Sequence, residues 1–169
     1  MHLTSRRVRS PGIAYIAMLL VVFVLALSYS AAAVIWSTLA ARSKERQLLF
    51  IGDQFRQAIE RYYESSPGTV KRYPLELDDL LYDKRKLTTN RYLRKIFVDP
   101  LTREPKWGLV RSHDGSVMGV YSLSQRRPFK KSNFPFPYQH FKDAEEYRGW
   151  TFVYTPPMPL LQQRAAPSQ

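Results

Sequence analysis

Gly12-Ile13-Ala14-Tyr15-Ile16-Ala17-Met18-Leu19-Leu20-Val21-Val22 opens a run that carries no charged side chain from Ile13 to Ala41 and contains no helix-breaking residue. About 20 apolar residues suffice for a helix to cross a bilayer, so Ile13 to Trp36 is read as a span with some tilt. A basic leader, Met1 to Pro11 with Arg6, Arg7 and Arg9, meets this run at Gly12 without a break.

Past the span the pattern changes but the helical register does not. Leu48, Ile51, Phe55, Ala58, Ile59 and Tyr62 recur three and four apart, while Lys44, Glu45, Asp53, Arg56, Glu60 and Arg61 fall elsewhere around the helix. Gly52 is the one interior Gly of this stretch, at a cost of about 1 kcal/mol relative to Ala, and Pro67-Gly68 ends it. One helix of about 50 residues is predicted, apolar all round at first and apolar on one side afterwards.

The N-terminus admits two simpler readings. A secretory signal cleaved near Ala33 would use the small residues Ala31-Ala32-Ala33, and Ser5-Arg6-Arg7 has a twin-arginine flavour. Against this, roughly 18 apolar residues precede Ala31, more than the 7 to 15 of a secretory core. An ordinary uncleaved anchor would keep its basic N-terminus in the cytoplasm, although Arg42, Lys44 and Arg46 beyond the span weaken that bias.

The remaining chain, about 125 residues, suits one small domain. The net charge of +12 is spread along the sequence without a polybasic tail, which fits a solvated mixed-charge surface and does not specify an acidic partner. Cysteine is absent, which excludes disulfides, thiolate metal sites and a Cys nucleophile.

Tyr73-Pro74-Leu75-Glu76-Leu77-Asp78-Asp79-Leu80-Leu81 reads as a short helix starting near Pro74. Lys84 to Lys95 is basic, with Leu87, Tyr92, Leu93 and Ile96 interleaved, and is taken as a solvated helix or loop; a nucleic-acid partner is not expected. Lys106 to Arg111 and Val117 to Leu123 flank His113-Asp114-Gly115-Ser116, an Asp-Gly hairpin signal. Trp150 to Tyr154 is a third strand, ended by Pro156-Pro157. Between them, Arg126 to Phe141 reads as a surface loop in which Phe129, Phe134, Phe136, Tyr138 and Phe141 form a candidate contact surface, with folding onto the sheet the equal alternative. Pro156 to Gln169 reads as a disordered tail. The fold class is therefore α+β.

Chemistry is sparse. His2, His113 and His140 have no second ligand at metal spacing, so no metal and no cofactor is expected. Asp99, Asp114, Asp143, Glu145 and Glu146 form no spaced calcium loop, and no nucleophile elbow or phosphate-binding Gly loop occurs, so no enzyme activity is expected.

A basic leader ending in Gly, a long helix that is membrane-like and then amphipathic, and a small C-terminal head resemble the type IV pilins and the pseudopilins of type II secretion systems. The resemblance covers the whole chain in plan and is sharpest from Gly12 to Val22; Tyr73-Pro74 and the following Leu80-Leu81 are similar to the segment after the long helix in pseudopilins. It implies a pilin-like fold, cleavage by a prepilin peptidase between Gly12 and Ile13, N-methylation of Ile13, and assembly through the helix around Tyr15 and Ala17. It implies as partners other pilin-like subunits, the peptidase, an inner-membrane assembly platform and the lipid bilayer. It places the chain as a single-pass protein of a bacterial inner membrane, N-terminus in the cytoplasm and head in the periplasm. The implied divisions are leader 1–12, membrane half 13–36, amphipathic half 37–66, head 67–155 and tail 156–169. Two positions depart from the pattern: Ile13 replaces the usual Phe or Met, and Ala17 stands where the family carries a Glu that neutralises a neighbour's N-terminal amine. The second departure favours a minor or atypical subunit. A minor pilin of a pilus or DNA-uptake machine is the alternative within the family, and an exported binding protein cleaved near Ala33 is the alternative outside it.

Overall fold

The computed structural model describes residues 11–85 and 90–157, with the side chains of 11 and 27–35 outside that description. The leader residues 1–10, Leu87 and the tail from Met158 lie outside the described residues. The architecture is α+β: a long helix α1 (Pro11–Glu64), then strands β1 (Gly108–Arg111), β2 (Val117–Tyr121) and β3 (Phe152–Val153), with three short 3-10 turns between them. The chain divides into two compact units, Met1–Ala41 and Arg42–Gln169.

In the first unit, α1 is described from Pro11 onward. The large apolar side chains described from Ile13 to Leu25 are each more than half exposed. The hydrophobic core of the molecule begins only at Leu48, so this stretch contributes nothing to it.

In the second unit, α1 is the spine of the head. Leu48, Ile51, Phe55, Ala58, Ile59 and Tyr62 are all buried, as their spacing predicts. The outer face carries a ladder of neighbours one turn apart: Gln57 donates to Asp53 (2.7 Å), Arg56 to Glu60 (3.1 Å) and Arg61 to Gln57 (3.1 Å). After Glu64 the chain leaves through Gly68, whose φ of +80° is the left-handed conformation that Gly adopts without strain.

The helix expected from Pro74 is reduced to one 3-10 turn, Leu77–Leu80. The Asp79 carboxylate accepts from the Leu75 and Glu76 N–H groups (2.9 and 3.1 Å), closing its start. Its end is fixed by the returning chain: the Leu80 carbonyl accepts from both Tyr92 and Leu93 (2.9 Å each), so that oxygen is not free to continue a helix.

The Asp-Gly hairpin forms as expected. β1 and β2 are antiparallel, with Leu109 opposite Val120 and a bulge between Val110 and Arg111. At the turn Gly115 has φ +83°, and the Asp114 carboxylate accepts from the Ser116 N–H and hydroxyl (3.2 and 2.6 Å). β3 pairs with the other edge of β2, giving the order β1-β2-β3. All three strands are shorter than predicted, β1 by its first two residues. β2 stops at Tyr121 because Ser122 turns to donate to Asp99 (2.6 Å), and β3 starts late because Trp150 closes a 3-10 turn by donating its N–H to Tyr147 (3.0 Å).

The core between α1 and the sheet is aromatic. Phe141 and Trp150 stack with centroids 5.2 Å apart, and Phe152 meets Phe141 edge-on at the same separation. Gly52 lies where α1 meets β3: a Cβ there would overlap the ring of Phe152. Trp150 is fully buried, yet its indole N–H has no hydrogen-bond partner among the described residues. Removing an orphaned donor offsets much of the cost of a smaller ring. Trp150→Phe is therefore expected to cost no more than about 1 kcal/mol in a denaturant titration, against about 3 kcal/mol or more for an ordinary large-to-small core change; a loss of the larger size would contradict this packing.

Candidate functional site

The residues singled out for processing and assembly lie in the first two turns of α1. Gly12 has no atom within 4 Å of the position a Cβ would take. Ile13 and Tyr15 are 70% and 66% exposed, and Ala17 is exposed as well. Among the described residues no helix is long and apolar enough to cross a membrane; residues 27–35 of the uncharged run lie outside the described side chains.

Of the two readings open for the aromatic loop, the folded one describes Phe134, Tyr138 and Phe141. Tyr138 and Phe141 are buried at 6% and 1% exposure, and Phe134 packs edge-on against both Phe141 and Trp150. Only Phe129 and Phe136 remain outside, at 54% and 83%. The cause is a polar anchor that composition does not reveal: the Tyr138 hydroxyl donates to Asp53 and accepts from Arg56 Nε (3.0 Å), drawing the loop onto α1. Burial, reinforced by the Asp53 carboxylate, pushes the Tyr138 phenol well above its ordinary value. Burial of Asp53 opposes ionisation, but hydrogen bonds from Tyr138, Arg56 and Gln57 together outweigh it and hold the carboxyl below its usual range.

Three further polar clusters tie loops to α1, and none was visible in the sequence. Asp83, 1% exposed, accepts from the Arg85 N–H (3.0 Å), from Arg85 Nε and Nη2 (2.9 Å each) and from the Tyr92 hydroxyl (2.9 Å). Arg85 passes on to the Tyr62 carbonyl and Ser66 Oγ, its guanidinium 3.5 Å above the Tyr62 ring. The basic run from Lys84 is thus partly an internal strut. Glu45 is buried and accepts from the Lys130 N–H (2.9 Å) and the Tyr147 hydroxyl (3.3 Å). Burial and the nearby Glu45 carboxylate push the Tyr147 phenol up to about 12. At the far end of the helix the Tyr154 hydroxyl donates to Glu64 (2.8 Å).

A cleft of about 530 Å³ opens beside Arg56, Glu60, Pro137, His140, Thr151 and Tyr154. Arg56 is already engaged by Asp53, Glu60 and Tyr138, and His140 lies 3.4 Å from the Thr151 hydroxyl with its ring edge-on to Phe141. Among the described residues no three of His, Cys, Asp and Glu gather as metal ligands. The arrangement offers packing and polar struts around one helix, whose described residues from Ile13 to Leu25 carry a run of exposed large apolar side chains.

No known protein family, curated protein or solved structure matches the chain.

Proposed function

We propose that the chain is a pilin-like structural subunit, a minor pseudopilin of a type II secretion system, processed between Gly12 and Ile13 and methylated on Ile13. The observation that carries the reading is the division of labour along α1: an exposed apolar stretch outside the core, followed in the same helix by the spine of a small α+β head. An apolar helical surface with no core of its own needs either lipid or other helices around it, and the same surface suits both in turn. In the proposed cycle Ile13 to Trp36 anchors the subunit in the inner membrane, with the head in the periplasm, until the assembly platform lifts it into a filament. Its work is assembly, not chemistry.

Ala17 places the subunit within that scheme. A carboxylate in hydrocarbon is tolerated only beside a compensating cation, such as a neighbour's N-terminal amine. With Ala at this position that attraction is missing, which suits a minor or tip position. The test is Gly12→Ala. The variant is expected to keep its full length on a denaturing gel and to be lost from sheared filaments, whereas normal processing and assembly would count against the proposal.

A further inference from the structure

We propose that the head carries a surface for anionic phospholipid headgroups, formed by the loop Arg126–Lys131 and the first head turn of α1; the proposal rests on the membrane-anchored reading above. Between Asp114 and Asp143 the sequence has no acidic residue, while it places Arg126, Arg127, Lys130 and Lys131 in one short loop. Arg126, Arg127 and Lys131 are exposed, and none of the four makes a salt bridge among the described residues. Phe129 stands exposed in their midst, and Lys130 Nζ lies 5.1 Å from the Phe134 ring centroid. Cations interleaved with an exposed aromatic ring suit the interfacial layer of a membrane, where the ring enters the headgroup boundary and the charges meet phosphates.

The position of the loop selects the lipid over other anionic partners. The Lys130 N–H and the Tyr147 hydroxyl are both fixed to Glu45, so the end of the loop is tied to the helical turn that also bears Arg42, Lys44 and Arg46. Glu45 comes nine residues after Trp36, where the proposed span ends, which is about 14 Å of helical rise. The headgroup layer on each side of a bilayer is about 5–7 Å thick, and its field persists for about 8–10 Å at ordinary ionic strength. Glu45 is buried and its Oε1 accepts from the loop, while Arg42, Lys44 and Arg46 of the same stretch make no salt bridge among the described residues. Counted along the helix, the turn that carries these cations thus lies beyond the headgroup layer of the proposed span but within the reach of its field.

The chain has no Cys, so Ser132→Cys, exposed beside Lys131, gives a single labelling position on the full-length protein. The labelled protein is reconstituted in vesicles of phosphatidylcholine alone or mixed with phosphatidylglycerol, each with a headgroup-attached quencher, and insertion is followed separately by flotation. Quenching is expected to be roughly twofold or more stronger with phosphatidylglycerol, and to fall to the neutral-lipid level at high salt or on combining Arg126→Glu, Arg127→Glu and Lys131→Glu, with flotation unchanged. The salt arm reads the wild-type surface and does not depend on the variant folding. Flotation with equal quenching in both lipids would overturn the lipid surface while leaving the anchor intact. A response to added single-stranded DNA in neutral vesicles, without a lipid difference, would overturn it in favour of nucleic acid. Failure to float with neutral vesicles would overturn the anchored reading itself.

Discussion

Gly52→Ala is expected to destabilise the head by about 2 kcal/mol, opposite in sign to the gain of about 1 kcal/mol that helix propensity alone would give. The reason is a close approach, since three carbons of the Phe152 ring occupy the space a Cβ would need and this ring belongs to the packed aromatic core. Neither partner can yield easily: Phe152 is fully buried, held by β3 pairing to β2, and touched by Tyr138 and Phe141. For a domain of this size the loss corresponds to a fall in midpoint of roughly 8 °C. A double-mutant cycle separates the two effects. In a Phe152→Ala background the same Gly52→Ala change should become neutral or stabilising, because only the propensity difference remains. A stabilising effect in the wild-type background would show that α1 and β3 do not meet at this position.

The second large effect is expected at Asp83. Removing one member of a buried, hydrogen-bonded ion pair costs about 3–5 kcal/mol, and the partial exposure of the Arg85 side chain, 21%, puts Asp83→Asn near the lower end. The pH dependence supplies a sharper signature. Hydrogen bonds from Arg85 hold the Asp83 carboxyl near 2, against an ordinary value of 3.8. A group whose pKa is lowered on folding stabilises the protein above its unfolded value, and that stabilisation drains away as the pH falls through the folded value. The wild-type head should therefore lose roughly 2 kcal/mol from this group between about pH 4 and pH 2. Asp83→Asn should be less stable at pH 7 and show a correspondingly shallower acid limb in denaturant titrations. Parallel stability curves for the two proteins across that window would remove the cluster from the account.

The long helix was readable in advance because its signal is local and repeated. Leu48, Ile51, Phe55, Ala58, Ile59 and Tyr62 announce one face by spacing alone, and all are buried. The hairpin was equally readable, since only Gly fits the positive φ at 115. What escaped the sequence depends on partners far along the chain. Gly52 registered only as a cost, because the residue that requires it, Phe152, lies in the last strand. Tyr138 looked like one more loop aromatic until Asp53 and Arg56 of α1 were found to hold its hydroxyl. Arg85 was hidden within a stretch, Lys84 to Lys95, that composition marks as basic and solvated, and Asp83 stands just before it. For the candidate site the order is reversed. The case for Gly12, Ile13 and Ala17 is made by the sequence, and the structure contributes their position on the exposed first stretch of α1, outside the core.

The intact mass of the protein isolated from its native host tests the central proposal most directly. The pilin-like reading predicts loss of Met1 to Gly12 and one added methyl group, localised to Ile13 by fragmentation. A mature N-terminus near Ala33, or a chain that retains its leader, would contradict it.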